Sequence, residues 1–168
     1  MHRVRGRSRS QRGFTLIELL IVVAIIGIIA AIATHQLLRA RVAANEASAI
    51  GSLRSVSSGE TGYAATCGGG FFAPTIATLV DGKYISADMN YTPKSGYVYT
   101  LEPGDASGNN DCQGNPTHNS FYAKAERVSP GTGNRAFATN ASGTIWQSFG
   151  NVAPAEPFLT TSTIQPIQ

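Results

Sequence analysis

Glu18 is the only charged side chain between Arg12 and Arg39. A carboxylate placed in hydrocarbon costs several kcal/mol unless it reaches the interface or finds a partner, so such a residue marks function more than anchoring. Just ahead of it, Gly13 precedes Phe14 at the seam between an arginine-rich leader and a long apolar run. A small residue at such a seam is a candidate cleavage point. Cys67 and Cys112 supply the thiols of the chain. Both follow the apolar run, and an even count on the oxidising side of a membrane favours a disulfide; the alternative is two free thiols packed in a core. Closing a loop of roughly 45 residues would stabilise the fold by about 4 kcal/mol on the chain-entropy account. Two thiolates with no second pair and no His cluster cannot fill a tetrahedral metal site.

Other chemistry is sparse. The sequence contains no G-x-S-x-G elbow, no H-E-x-x-H, no Walker A loop and no dinucleotide fingerprint. His2, His35 and His118 fall in leader, helix and loop, which suggests no dyad. Gly68-Gly69-Gly70-Phe71 lacks the Lys and helix start of a phosphate loop. Asp105, Asn109, Asn110 and Asp111 crowd one loop and could offer oxygen ligands to calcium, but their spacing is not that of an EF-hand, and a solvated loop is the better reading. Asn140-Ala141-Ser142 matches a glycosylation sequon, a triplet that also arises by chance. The chain is therefore read as non-enzymatic, with no cofactor and no metal.

The elements that must position Glu18 are legible. Phe14 to Ala33 is 20 apolar-dominated residues, about 30 Å of helix and enough to cross a bilayer. A secretory signal peptide would have a shorter core followed by a small-residue cleavage site. Here Thr34-His35-Gln36 leads straight into more helix-forming sequence. The formal charge of +3 is misleading for the same reason. Arg3, Arg5, Arg7, Arg9 and Arg12 all precede Gly13, so removal of the leader leaves 13 − 5 = 8 basic against 10 acidic side chains. The basic cluster is a topology signal, and nucleic acid is not indicated as a partner.

The run R-G-F-T-L-I-E-L-L-I-V-V-A-I-I-G-I-I-A-A-I-A, Arg12 onward, closely resembles the class III signal of type IV prepilins and type II secretion pseudopilins. The resemblance covers roughly Arg12 to Arg41. It implies that a membrane-embedded prepilin peptidase cuts after Gly13, that the new amine on Phe14 is N-methylated, and that Glu18 pairs with the Phe14 amine of an adjacent subunit. It also implies membrane lipid before assembly, then pilus or secretion machinery of the inner membrane and copies of the chain itself as partners. One departure stands out. Relatives usually carry a proline shortly after the apolar run, where this chain has His35 between Thr34 and Gln36; Gly27 remains a point at which the helix could weaken.

Beyond the leader (1–13), the anchor helix (14–33) is expected to continue as an amphipathic helix (34–63), followed by a globular head (64–168). The stripe Leu37, Ala40, Ala44, Ala47, Ile50, Leu53 and Val56 would face the head, leaving Arg39, Arg41, Asn45, Glu46 and Arg54 for water or a neighbouring subunit. Gly59, Gly62 and Gly68–Gly70 are expected to end the helix. Pro74–Val80 reads as a short helix capped by Thr75, with a turn at Asp81-Gly82-Lys83. Strands are expected at 97–101, 120–128, 135–139 and 144–148, the last two forming a hairpin with Gly143 at positive φ. The stretch 102–119 reads as a polar surface loop and the tail after Phe149 as irregular. The aromatics Phe71, Phe72, Tyr97, Tyr99, Phe121, Tyr122, Phe137 and Trp146 are assigned to packing. The fold class is α+β, a long N-terminal helix on a small antiparallel sheet, as in pilins, whose heads resemble this layout.

Three functions fit the sequence: a pilus subunit, a periplasmic pseudopilin of a type II secretion system, and an unprocessed membrane-anchored binding domain. The first is favoured.

Overall fold

The computed structural model describes residues 13–167. The leader arginines and His2 lie outside them. Helix α1 spans Leu16–Thr66, and its 51 residues include no proline. The chain divides into two compact units, Met1–Leu38 and Arg39–Gln168. In the first, every side chain from Leu16 to Leu38 is exposed, and a window of mean hydropathy 3.0 makes the helix long and apolar enough to cross a membrane. α1 continues through Gly27 and His35 without a break in assignment.

In the second unit, α1 contributes its buried stripe to the head: Glu46, Ala49, Leu53, Val56, Glu60 and Tyr63. This differs from the expected stripe. Leu53 and Val56 are buried and Ile50 is half-buried, but Leu37, Ala40, Ala44 and Ala47 are exposed. Glu46, expected at the surface, is inside because a cation of the sheet meets it there, as described below. The helix also outruns its expected end. At Gly59 a Cβ would meet the Ile85 side chain and lie 3.4 Å from the Tyr84 carbonyl oxygen, so this glycine serves close packing and leaves the helix intact. The stop comes at Gly68–Gly70. Cys67 and Gly68 donate to the Tyr63 carbonyl at 2.9 and 2.8 Å, and Gly69 and Gly70 take φ of +61° and +94°, conformations that glycine adopts without steric cost.

Helix α2 (Ile76–Asp81) begins where expected, with Thr75 Oγ1 accepting from the Thr78 amide at 3.2 Å. A 3₁₀ turn covers Ala87–Asn90. Seven strands follow: β1 (Tyr97–Pro103), β2 (Ala106–Asn110), β3 (Pro116–His118), β4 (Phe121–Arg127), β5 (Arg135–Asn140), β6 (Trp146–Phe149) and β7 (Ile164–Pro166). β1-β4-β5-β6-β7 make one antiparallel sheet, and β2-β3 a separate ribbon. The β5–β6 hairpin turns at Asn140–Gly143, with Gly143 at φ +75°. Ser95 and Gly96, both at positive φ, close the turn Lys94–Tyr97 that leads into β1.

Two expectations fail here. The 102–119 stretch holds the β2–β3 ribbon, and the tail supplies β7. The ribbon buries few side chains besides Thr117, so it has no apolar alternation to betray it. Pro166 is tolerated because β7 is an edge strand, where a missing N–H costs no ladder bond.

The core lies between α1 and one sheet face, built from Ala49, Leu53, Val56 and Tyr63 against Tyr97, Phe121, Ala123 and Phe137. The opposite face is covered by the tail. Ala153 packs on Ala136 and Ala138 with Tyr122 and Phe158 around them, and Phe158 stacks on Trp146 at 5.3 Å. Polar ties hold this strap: Tyr122 Oη donates to the Pro154 carbonyl at 2.6 Å, Ala153 N–H to Glu126 at 3.1 Å, and Ser148 Oγ to the Val152 carbonyl. The α+β class, a long helix on a small antiparallel sheet, is the one the sequence indicated.

Candidate assembly site

Gly13, Phe14 and Thr15 precede α1 in irregular backbone and are exposed, Phe14 to 85 %. Thr15 occupies the cap position and Glu18 the first turn. The Glu18 amide donates to Thr15 Oγ1 at 3.3 Å, while the Thr15 amide and hydroxyl donate to Glu18 Oε2 at 3.4 and 3.3 Å. This is a reciprocal capping box, T-x-x-E, which satisfies amides that the helix itself leaves unpaired. A carboxylate in the first turn also lies at the favourable end of the helix dipole. The sequence reading singled out Glu18 and passed over Thr15, although the four-residue pattern Thr15–Glu18 was there to be read.

Gly13, Phe14 and Glu18 thus lie together at the start of one unit. Cys67 and Cys112 belong to the other, where they form a disulfide with Cα atoms 4.9 Å apart. The bridge ties the end of α1 to the turn after β2. Beside it Tyr63 Oη donates to Asp111 Oδ2 at 2.8 Å, and Asp111 Oδ1 accepts from the Gln113 and Asn115 amides at 2.8 Å each. Burial pushes the Asp111 carboxyl up, but donors from Asn115, Tyr63 and Gln113 outweigh it and hold the group down to about 2. Of the residues weighed as calcium ligands, Asp111 is turned inward to cap its own turn. Among the described residues no three His, Cys, Asp or Glu side chains are grouped to hold a metal ion.

The remaining polar ties of the head were not foreseen. Glu46 Oε2 accepts from Arg135 Nε and Nη2 at 2.9 and 2.6 Å, and its Oε1 from the Asn134 and Arg135 amides at 2.7 and 3.2 Å. Asn45 Nδ2 donates to the Thr132 carbonyl at 3.0 Å. Glu60 Oε2 accepts from the Ala73 amide at 2.8 Å. A usable signal existed, since Glu46 and Glu60 stand at three- and four-residue steps from Ala49, Leu53, Val56 and Tyr63 and so share their helix face. A cleft of about 420 Å³ lies between β1, β4 and the strap, and its Glu102–Lys124 pair closes at 2.7 Å.

Residues 8–34 match the family N_methyl, described as the prokaryotic N-terminal methylation motif. The N-terminal segment therefore carries the prokaryotic N-terminal methylation motif. The match stops short of the head. Comparison with curated proteins and with solved structures gave no match.

Proposed function

We propose that this chain is a structural subunit of a type IV pilus. Prepilin peptidase cuts after Gly13, Phe14 becomes the N-methylated terminus, and the apolar helix holds the subunit in membrane lipid until the inner-membrane assembly machinery adds it to a helical homopolymer. The observation that carries this reading is the carboxylate of Glu18, the only charge between Arg12 and Arg39, exposed in the first turn of a helix whose start lies inside the methylation motif. In a filament core that carboxylate would meet the Phe14 amine of an adjacent subunit, so neither charge is left isolated. Truncating one partner of such a buried pair costs roughly 3–5 kcal/mol.

Glu18→Val should leave membrane insertion intact and abolish or cripple assembly; normal fibres from that variant would overturn the proposal. Mass spectrometry of the purified chain should find N-methyl-Phe14 as its first residue, and a retained leader would instead favour a membrane-anchored binding domain. Shearing of cells separates the remaining readings. Long surface fibres containing this chain support the pilus, whereas their absence together with a loss of protein export supports a pseudopilin.

A further inference from the structure

Glu60 is fully buried at the last turns of α1, and its two oxygens fare differently. Oε2 accepts the Ala73 amide at 2.8 Å, and Oε1 has no hydrogen-bond partner among the described residues. A buried carboxylate with one bare oxygen is costly, and carrying a proton removes the charge that makes it so. Among the described residues, the elements packed around it offer no cation to replace that proton. On α1 the neighbouring titratable group is Tyr63, whose hydroxyl is given to Asp111. Tyr84, from the turn after α2, stands edge-on to Tyr63 at 5.6 Å and pairs its hydroxyl with Thr66. Asp111 is itself acidic. Asp81 and Lys83 beside Tyr84 are exposed. His118, paired across from Phe72, places Nδ1 2.9 Å from the Gly104 carbonyl.

We propose that Glu60 is a proton-operated latch, a neutral carboxylic acid in the closed head whose ionisation loosens residues 68–73 from the end of α1. The segment is suited to this. It contains Gly68, Gly69 and Gly70; the Gly68 and Gly70 amides hold the Tyr63 and Ala64 carbonyls at 2.8 Å each, Phe72 pairs with His118, and the Ala73–Glu60 bond is the tie made through a helix side chain. Opening it lets water reach Oε1. Burial pushes the Glu60 carboxyl up from 4.5 to about 7, against the smaller lowering effect of the Ala73 amide. A group whose folded value is raised in this way binds a proton more tightly closed than open. The latch is therefore tightest below about pH 4.5, weakens as pH rises to about 7, and changes little beyond.

The test uses the full processed chain in detergent micelles, with ¹³C-labelled glutamate carboxyls followed by NMR. One carboxyl should titrate near 7, and its resonance should be missing from Glu60→Gln, which keeps the acceptor for Ala73 but cannot ionise. Amide exchange at residues 68–73, corrected for intrinsic base catalysis, should accelerate at least about tenfold between pH 5 and pH 8 in the wild-type chain and stay nearly flat in Glu60→Gln. A Glu60 carboxyl titrating near 4.5, or equal acceleration in the variant, would overturn the proposal. Should Glu60→Gln not fold, the wild-type titration decides alone.

Discussion

Arg135 on β5 holds Glu46 on α1 across 89 residues of sequence, with Nη2 2.6 Å and Nε 2.9 Å from the same carboxylate oxygen. Two main-chain amides fill the other oxygen, so every acceptor position facing the sheet is used. The Glu46 side chain is 7 % exposed and Arg135 31 %, which places the pair between surface and interior. Removing the carboxylate by Glu46→Ala should destabilise the head by roughly 2–3 kcal/mol, less than the 3–5 of a wholly buried pair because water still reaches the guanidinium. Thermal unfolding of wild type and variant at matched pH measures it. A change below about 0.5 kcal/mol would mean the tie is ornamental.

The capping box at the start of α1 predicts a separate effect. Thr15→Ala removes the hydroxyl that receives the Glu18 amide, at a typical cost of about 1 kcal/mol for a lost N-cap. Amide exchange at Glu18 in micelles should speed up about fivefold, while residues deeper in the helix keep their protection. Unchanged exchange at Glu18 would count against the box.

Two glycines of α1 should respond in opposite directions to the same change. At Gly51 an added Cβ meets nothing within 4 Å, so Gly51→Ala should stabilise by up to about 1 kcal/mol through helix propensity. At Gly59 the methyl would press on Ile85 and the Tyr84 carbonyl, so Gly59→Ala should cost roughly 1–3 kcal/mol. Denaturant melts of the two variants side by side test the pair, and equal signs would refute the close packing seen at Gly59.

Asp111 gives an acid-side prediction. Its folded value lies near 2, below the ordinary 3.8. A depressed carboxyl contributes stability that is present above the ordinary value and lost as pH falls through the folded one. The head should therefore weaken between about pH 4 and pH 2, and Asp111→Asn should flatten that part of the profile. The readout is the midpoint of thermal unfolding against pH.

Much of this architecture was readable because the relevant residues announce themselves locally. The long apolar run announces the first part of α1, Thr75 precedes a short apolar helix, and Tyr97–Leu101 and Phe121–Arg127 carry strand formers. What escaped depends on partners far away in sequence. Glu46 looks like a surface acid until Arg135 arrives from β5, and Gly59 looks like a helix stop until Ile85 packs on it. The β2–β3 ribbon escaped for another reason. Its side chains are mostly exposed, so its pairing rests on main-chain bonds and on Thr117, whose hydroxyl meets the Asn109 carbonyl at 2.9 Å.

The Cys67–Cys112 bridge turns 46 consecutive residues into a covalent ring, given its sequence separation of 45. That ring contains α2, the 3₁₀ turn, β1 and β2, and it presents Gly69 and Gly70 to solvent. A protease that nicks the backbone anywhere inside it opens the ring without dividing the molecule. The two pieces stay joined until a reductant arrives, so a chain cut in this region would still transmit tension from its N-terminal helix to its last strand.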